Sequence, residues 1–468
     1  MRRLLLLALA CCAVVPAPAA ATSFRNPVLP QAADGEDSPD PWIFRARGRY
    51  WLTYTSSDEI ELRSAATLAA LADARPRRLW PRAGASEPRE RCCQLWAPEI
   101  HRAGSRWYLY YAAAGPDGAG PATHALHVLE SAGDDPAGPY RMKGRLALPQ
   151  AYAIDGTVAR IGGRWWLLYS GGAGFAPASL WLAPLSNPWT VAGPPLEISR
   201  PELPWERVAF AIEEGPEVLL HDGTLNVVYS ASWCGTGAYA LGLLSVPVRA
   251  NLLDPATWAS AKRPQPIFAA DAGAGVFGPG HGSFFSSPDG RESWMVYHAT
   301  ETDAGCFTGG LRTTRAQRIG WNADGTPRLG TPAALSSDLD APSGDGTVAV
   351  QVEDALPAGA GGRRVEDRRL VGYAGVAVRL RGRAGVTPPL RVRIARGGRF
   401  SATLRWVDGG RGDDGGAGVA GGRVAVRRLG VVRLRRGVAV LRPRLGGGAR
   451  TVTLDQLRLE RAPTRPAR

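Results

Sequence analysis

Five segments of the chain repeat one pattern: a short turn, then an aromatic-rich run that closes on tyrosine. They are Tyr50-Trp51-Leu52-Thr53-Tyr54, Trp107-Tyr108-Leu109-Tyr110-Tyr111, Trp165-Trp166-Leu167-Leu168-Tyr169, Leu225-Asn226-Val227-Val228-Tyr229 and Trp294-Met295-Val296-Tyr297. The closing tyrosines lie 57, 58, 60 and 68 residues apart. A strand-like unit repeated at such a period cannot bury its apolar face alone, so the units stack on one another. The usual result is a β-propeller blade of four strands. Five units predict five blades.

The first strand of a propeller blade lines the central axis, so residues at equivalent places in successive blades converge. Asp40 and Asp155 each lie 14 residues before their closing tyrosine, Glu99 and Glu217 each 12, Glu214 15 and His281 16. Glycoside hydrolysis needs two carboxyl groups, one protonated to donate to the leaving oxygen and one ionised to activate water or attack the sugar. Their surroundings must push their pKa values apart, and a third carboxylate raises the acid by like-charge repulsion. Asp40, Asp155 and Glu214 suit that arrangement. Taken singly, Asp in Pro39-Asp40-Pro41 or Asp155-Gly156 reads as a turn residue; taken together they favour catalysis. The common offset of Glu99 and Glu217 suggests a shared structural role in blades two and four.

Met1-Arg2-Arg3, the apolar run Leu4 to Val15 and the small residues Ala19-Ala20-Ala21 read as a signal peptide over residues 1–22. The run is too short to span a bilayer, so the expectation is a secreted or periplasmic protein without a membrane span. Cys11 or Cys12 leaves open a lipoprotein anchor. Export permits disulfides. Cys234 and Cys306 follow repeat strands of neighbouring blades and suit a bridge, whereas Cys92-Cys93 pair with each other or leave a free thiol; connectivity stays open. No spacing of cysteines and histidines suits zinc.

The repeat region spans 23–335 and holds 14 of the 15 tryptophans. A Gly/Ser/Asp-rich stretch, 336–346, reads as a linker. Residues 347–468 alternate apolar and polar residues with glycine-rich turns, as in Arg391-Val392-Arg393-Ile394, and read as a β-sandwich of jelly-roll type. The stretch Asp408 to Gly422 reads as a mobile loop. The chain carries a net charge of +14, but from Gln351 onward it holds 26 arginines and 9 acidic residues, a net of +17, which leaves −3 for the remainder. Those arginines alternate with Val and Leu, as on a solvated strand face, rather than marking a nucleic-acid patch. The expected fold is all-β, a five-bladed β-propeller followed by the β-sandwich.

Several motifs resemble glycoside hydrolase family 43: Asn26-Pro27-Val28, Ser38-Pro39-Asp40-Pro41-Trp42-Ile43, Trp96-Ala97-Pro98-Glu99-Ile100-His101, Ala153-Ile154-Asp155-Gly156-Thr157-Val158 and Glu213-Glu214-Gly215-Pro216-Glu217. Gly278-Pro279-Gly280-His281-Gly282-Ser283-Phe284, Trp294 to Ala299, Arg315-Ala316-Gln317 and Trp321 to Pro327 continue the match, in order, over residues 25 to 332. The resemblance implies a five-bladed propeller that inverts the anomeric centre. It implies Asp40 as general base, Glu214 as general acid and Asp155 as the group that tunes and orients the acid. His281 matches a histidine beside an axial metal, often calcium, or a water; a hydrogen-bonded core histidine is the alternative. Arg312, or its rival Arg315, matches a sugar-contacting arginine. Gly282 departs from the Asn common at that place. No cofactor is required for the chemistry; a structural Ca2+ on the axis is the implied extra.

Within the family the segments around Glu61, Trp96 and Asp155 resemble exo-acting α-L-arabinofuranosidases more than β-xylosidases. Trp42, Trp96 and Trp233 are candidates for stacking on the sugar or for blade packing. The implied partner is a plant cell-wall polysaccharide, arabinan or arabinose-decorated xylan, taken by a monomer. The region from Gln351 resembles galactose-binding-like carbohydrate-binding modules at Gln351 to Ala355, at Gly398-Arg399-Phe400 with Leu404-Arg405-Trp406, and at Leu454 to Leu457. It has only Tyr373, Phe400 and Trp406 as aromatics. Rival readings are a β-xylosidase or endo-arabinanase on the same fold, and a non-catalytic glycan-binding propeller. A retaining fructan hydrolase would open on Asn-Asp-Pro-Asn-Gly, which is missing.

Overall fold

The structure is a computed structural model that describes residues 23–30, 37–56, 59–80, 94–115 and 120–345, and beyond them the backbone of strands between Val348 and Arg461. Residues 1–22, Cys92-Cys93 and the glycine-rich stretch 409–423 lie outside the described residues.

The five aromatic repeats form the second strands of five antiparallel sheets. These are Arg49–Thr53, Arg106–Ala113, Arg164–Gly172, Thr224–Ala231 and Ser293–Thr300. Each pairs inward with a first strand: Trp42–Ala46, Trp96–Ala103, Tyr152–Ile161, Glu213–His221 and Phe277–Ser286. A third strand follows on the outer side in every blade. Blade 4 has three strands in its sheet; its outer edge is held by single bridges from Leu244 to Lys262 and from Leu241 to Phe268. That outer stretch carries Pro255, Pro264 and Pro266, and proline cannot donate to a ladder.

The repeat tyrosines explain why the pattern recurs. Tyr54, Tyr111, Tyr169, Tyr229 and Tyr297 are all fully buried. The apolar core is divided into five clusters between adjacent blades, and each holds one of them. A buried phenol also needs a partner for its hydroxyl. Tyr169 donates to Gln150 at 2.6 Å, Tyr229 to Glu206 at 2.7 Å and Tyr297 to Gln317 at 3.1 Å.

The ring closes between blades 5 and 1 through the N-terminal segment. Leu29 exchanges backbone hydrogen bonds with Thr314 of blade 5 at 3.2 and 3.0 Å, and the Asn26 amide brackets Ala316 at 3.0 and 2.8 Å. Phe24, Val28 and Leu29 fill the core cluster shared by these two blades. The stretch expected as a linker takes part in this closure. Leu339–Asp340 pairs with Ser23–Phe24, Ser343 bonds Glu292 at 2.9 Å, and Asp345 accepts the Leu68 N–H at 3.1 Å. Its Gly/Ser/Asp composition therefore serves turns sewn to the propeller, at least as far as Asp345.

Beyond residue 347 the backbone shows a six-stranded antiparallel sheet and a two-stranded pair. Gly398–Asp408 is central, flanked by Val424–Leu434 and Thr451–Arg461, and Val348–Gln351 pairs with the latter.

Candidate active site

The ladder between first and second strands slips once in blades 2 to 4, between Trp96 and Glu99, between Ile154 and Thr157, and between Glu214 and Glu217; in blade 5 it slips twice. Such bulges re-aim side chains, often beside active sites. One residue at or next to each slip is left-handed: Ala97 (φ 43°), Asp155 (54°), Gly215 (54°) and, in blade 5, Gly278 (52°) and His281 (36°). Asp40, just ahead of blade 1's first strand, matches them at 54°. In blades 1 to 4 this residue stands 14 positions before the closing tyrosine. The repeat therefore carries a backbone kink, and the kink carries the chemistry.

His281 is the hub. Its Nδ1 lies 3.3 Å from Asp40 Oδ1 and 3.9 Å from Asp155 Oδ2. One ligand-type atom from each of Asp155, Glu214 and His281 falls within 4.8 Å of the others. Gly215 makes this crowding feasible. Its φ is left-handed, and a Cβ there would stand 3.0 Å from His281 Cγ and Cδ2.

Electrostatics divides the carboxyls. Burial would raise Asp40, but the charge of His281, with that of Arg312, holds it well below the usual carboxylate range. The Arg312 Nη1 stands 3.8 Å from Asp40 Oδ1, and Thr55 donates to Oδ2 at 2.7 Å. His298 contributes as a neutral ring. Burial pushes it down to about 4, and its Nδ1 accepts the Asp40 N–H at 3.2 Å, so it has no proton there to give the carboxylate. Asp40 is the ionised member of the set. Burial raises Glu214 against the pull of His281 and of Tyr239, whose hydroxyl donates to Oε1 at 2.7 Å. Oε1 is then occupied as an acceptor, which leaves Oε2 to carry a proton. Burial, opposed by His281 and reinforced by Glu214 and Asp40, lifts Asp155 to about 8. Its Oδ2 accepts the Gly215 N–H at 3.0 Å and so grips the backbone beside Glu214. Burial depresses the His281 ring, but the charges of Asp40, then Asp155 and Glu214, outweigh that and raise it. The result is one carboxylate held in its ionised form and two carboxyls driven toward protonation around a common imidazole, a division that suits acid–base hydrolysis of a glycoside.

The three residues Asp155, Glu214 and His281 fit a calcium ion poorly. Calcium takes six to eight oxygens, whereas this set offers two carboxyl groups and one imidazole nitrogen.

A family model, described as glycosyl hydrolases family 43, matches residues 24–327. The chain belongs to glycosyl hydrolases family 43. It is 36% identical to an extracellular exo-α-(1→5)-L-arabinofuranosidase of Streptomyces avermitilis over 67% of this chain and 64% of the relative. It is 32% identical to α-L-arabinofuranosidase B of Pyricularia oryzae over 66% of this chain and 63% of that one. These matches span just under two thirds of the relatives' own length. Among solved structures, an α-L-arabinofuranosidase from Lactobacillus brevis superposes with a TM-score of 0.61 at 31% identity, covering 67% of this chain and 98% of that one.

Within this family 43 propeller the expected residues are placed as follows. Asp40, Asp155, Glu214 and His281 come together. Arg312 joins them, braced by Asp37 at 2.7 Å. Arg315 does not: it is fully buried within blade 5, where its Nε bonds Thr313 at 3.1 Å. Trp42 is tied into the blade 1–2 packing, its Nε1 donating to Ile100 O at 3.1 Å and its ring against His101 at 4.4 Å. Trp96 stacks on His124 at 3.7 Å, directly ahead of left-handed Ala97. Trp233 packs edge-on to Phe210 at 5.2 Å. Glu99 and Glu217 meet across the axis: burial, then Glu99, drives Glu217 well above the carboxylate range, and the proton it keeps bonds Glu99. Cys234 and Cys306 form a disulfide. At Gly282 a Cβ would sit 1.9 Å from Val296 O, so the strand itself admits only glycine.

Sequence reasoning misses Thr55, Tyr239 and His298. Thr55 and His298 directly follow closing tyrosines, and that position in the repeat is the signal that could have found them.

Proposed function

We propose that the chain is an exported, inverting, exo-acting α-L-arabinofuranosidase that releases arabinofuranose from arabinan or arabinose-decorated xylan. The observation that carries hydrolysis is the division of charge around His281, with Asp40 ionised and Glu214 driven toward its protonated form. In this reading Asp40 takes a proton from water, which attacks the anomeric carbon as Glu214 Oε2 gives its proton to the departing oxygen. Asp155 holds the backbone beside Glu214 through Gly215 and so orients the acid. Arg312 contacts the sugar beside Asp40, and Trp96 lines its edge. The choice of arabinofuranose rests on the activities for which the relatives are named, and export on the two-part pattern of basic and apolar residues at 1–22. No step requires a metal. The reading takes residues 23–335 as the catalytic unit, working as a monomer, and 347–468 as a β-sandwich appended to it.

The test is a pair of chromogenic sugars. The protein is expected to cleave 4-nitrophenyl α-L-arabinofuranoside and to leave 4-nitrophenyl β-D-xylopyranoside nearly untouched. Faster xyloside cleavage would overturn the sugar assignment, and turnover of neither, together with inert arabinan, would overturn hydrolysis.

A further inference from the structure

The backbone N–H of a left-handed residue in a bulge leaves the strand ladder and needs another partner. Of the six left-handed residues at the slips and at Asp40, four find one in a side chain of the preceding blade, and Gly278 donates to the Gly237 carbonyl at 3.0 Å. Ala97 donates to Thr55 Oγ1 at 2.7 Å, Gly215 to Asp155 Oδ2 at 3.0 Å, His281 to Ser230 Oγ at 2.7 Å and Asp40 to His298 Nδ1 at 3.2 Å. Thr55, Ser230 and His298 each stand directly after a repeat tyrosine, as does Ser170, which donates to the Glu213 carbonyl at 2.6 Å. The fifth such position is Ala112. It has no polar atom to offer blade 3, and Asp155 is held instead through its own side chain.

We propose that Thr55, Ser170, Ser230 and His298 form a collar of positioning residues behind the site, passing the geometry of each blade's kink to the next. Kinked, left-handed residues persist only where their surroundings determine them, and here the kinked residues are Asp40, Asp155 and His281 themselves. The proposal rests on the acid and base roles assigned above. The collar has a base side and an acid side. On the base side, Thr55 Oγ1 donates to Asp40 Oδ2 at 2.7 Å while receiving Ala97. On the acid side, Ser230 hydrogen-bonds Tyr239, and Tyr239 donates to Glu214 Oε1. Ser230 thus links the His281 backbone to the orientation of the acid. All four collar residues are buried, so they do not touch substrate.

The two sides separate by leaving group. Ser230→Ala is expected to lower kcat/KM on α-1,5-arabinobiose about 10²-fold, the scale of a small misplacement of a reacting group. On a dinitrophenyl arabinofuranoside, which departs with little proton help, the loss should be no more than about 3-fold. Tyr239→Phe cuts the same link at its Glu214 end and should behave alike, which keeps the test open if Ser230→Ala fails to fold. Thr55→Val should lower both substrates equally, and Thr55→Ser, which keeps the hydroxyl, should restore both. Equal losses on the two substrates for both Ser230→Ala and Tyr239→Phe, or no loss in either, would overturn the acid side. Full activity in Thr55→Val would overturn the base side. Glu214→Ala is the reference: if it too shows no leaving-group dependence, the acid assignment fails, whatever the collar does.

Discussion

Replacing Gly215 with alanine probes the kink and the hub together. Two penalties are expected. The left-handed backbone at φ 54° costs an L-residue about 1–2 kcal/mol. The new methyl would also stand 3.0 Å from two ring carbons of His281, so the imidazole must shift by a few tenths of an ångström from Asp40 and Asp155. The first penalty is separable, because Gly163 has φ 80° and nothing lies within 4 Å of the place its methyl would take. Gly163→Ala should therefore lower the unfolding free energy by the same ~1–2 kcal/mol and leave turnover intact. Gly215→Ala should match or exceed that loss and also lower kcat/KM roughly 10–10²-fold, the scale of a misplaced catalytic group. Urea unfolding followed by tryptophan fluorescence, beside initial rates on 4-nitrophenyl α-L-arabinofuranoside, reads both quantities. Wild-type kcat/KM in a folded Gly215→Ala protein would show that His281 does not need its present position, and the hub would lose its role.

Four further outcomes follow from the same structure. Asp40→Ala and Glu214→Ala should each lose about 10²–10⁴-fold in kcat on the natural linkage with unchanged circular dichroism; an active variant removes that residue from its role. The pH profile of kcat/KM should hold its activity far into the acid range, because Asp40 stays ionised below the usual carboxylate pKa. It should fall as pH rises through about 8, where the buried Asp155 site gives up its proton; an acid limb near pH 4 would contradict it. The Cys234–Cys306 bridge spans 72 residues, so its loss through Cys306→Ser should cost about 4 kcal/mol by loop entropy, seen as a lower melting temperature. Lys262 bridges the fully buried Glu213 and Glu206 at 2.5 and 3.0 Å. Lys262→Ala removes the cation between them, leaving Glu206 to the Tyr229 hydroxyl and two backbone N–H groups and Glu213 to Ser199, and should cost about 3 kcal/mol in chemical denaturation.

Blade number, strand type and the convergence of the candidate carboxyls were legible because aromatic periodicity is a local signal with a global consequence. Five buried tyrosines needed five inter-blade cores. The carboxyls were found because their distance from those tyrosines barely varies. What stayed hidden depends on three-dimensional register. Arg312 and Arg315 lie three residues apart on one stretch, and only the pleat and the bend before blade 5's third strand decide that Arg312 reaches Asp40 while Arg315 stays within the blade. Trp42 and Trp96 look alike in sequence, yet Trp42 is fixed between blades by its bond to Ile100. The Gly/Ser/Asp stretch at 336–346 has a linker's composition, because side chains that cap turns are the same ones that fill flexible chain. Ala97 and Gly215 share the kink with Asp40 and Asp155, but an alanine and a glycine advertise no chemistry.

The most direct test of the proposed chemistry is a proton NMR time course of hydrolysis in deuterated buffer, reading the first arabinose anomer released from an α-L-arabinofuranoside. Asp40-activated water attacking opposite the leaving group predicts β-arabinofuranose first, with the α anomer growing in only by mutarotation. Initial release of the α anomer would mean that a carboxylate attacks the sugar itself, and the division of labour between Asp40 and Glu214 would be wrong.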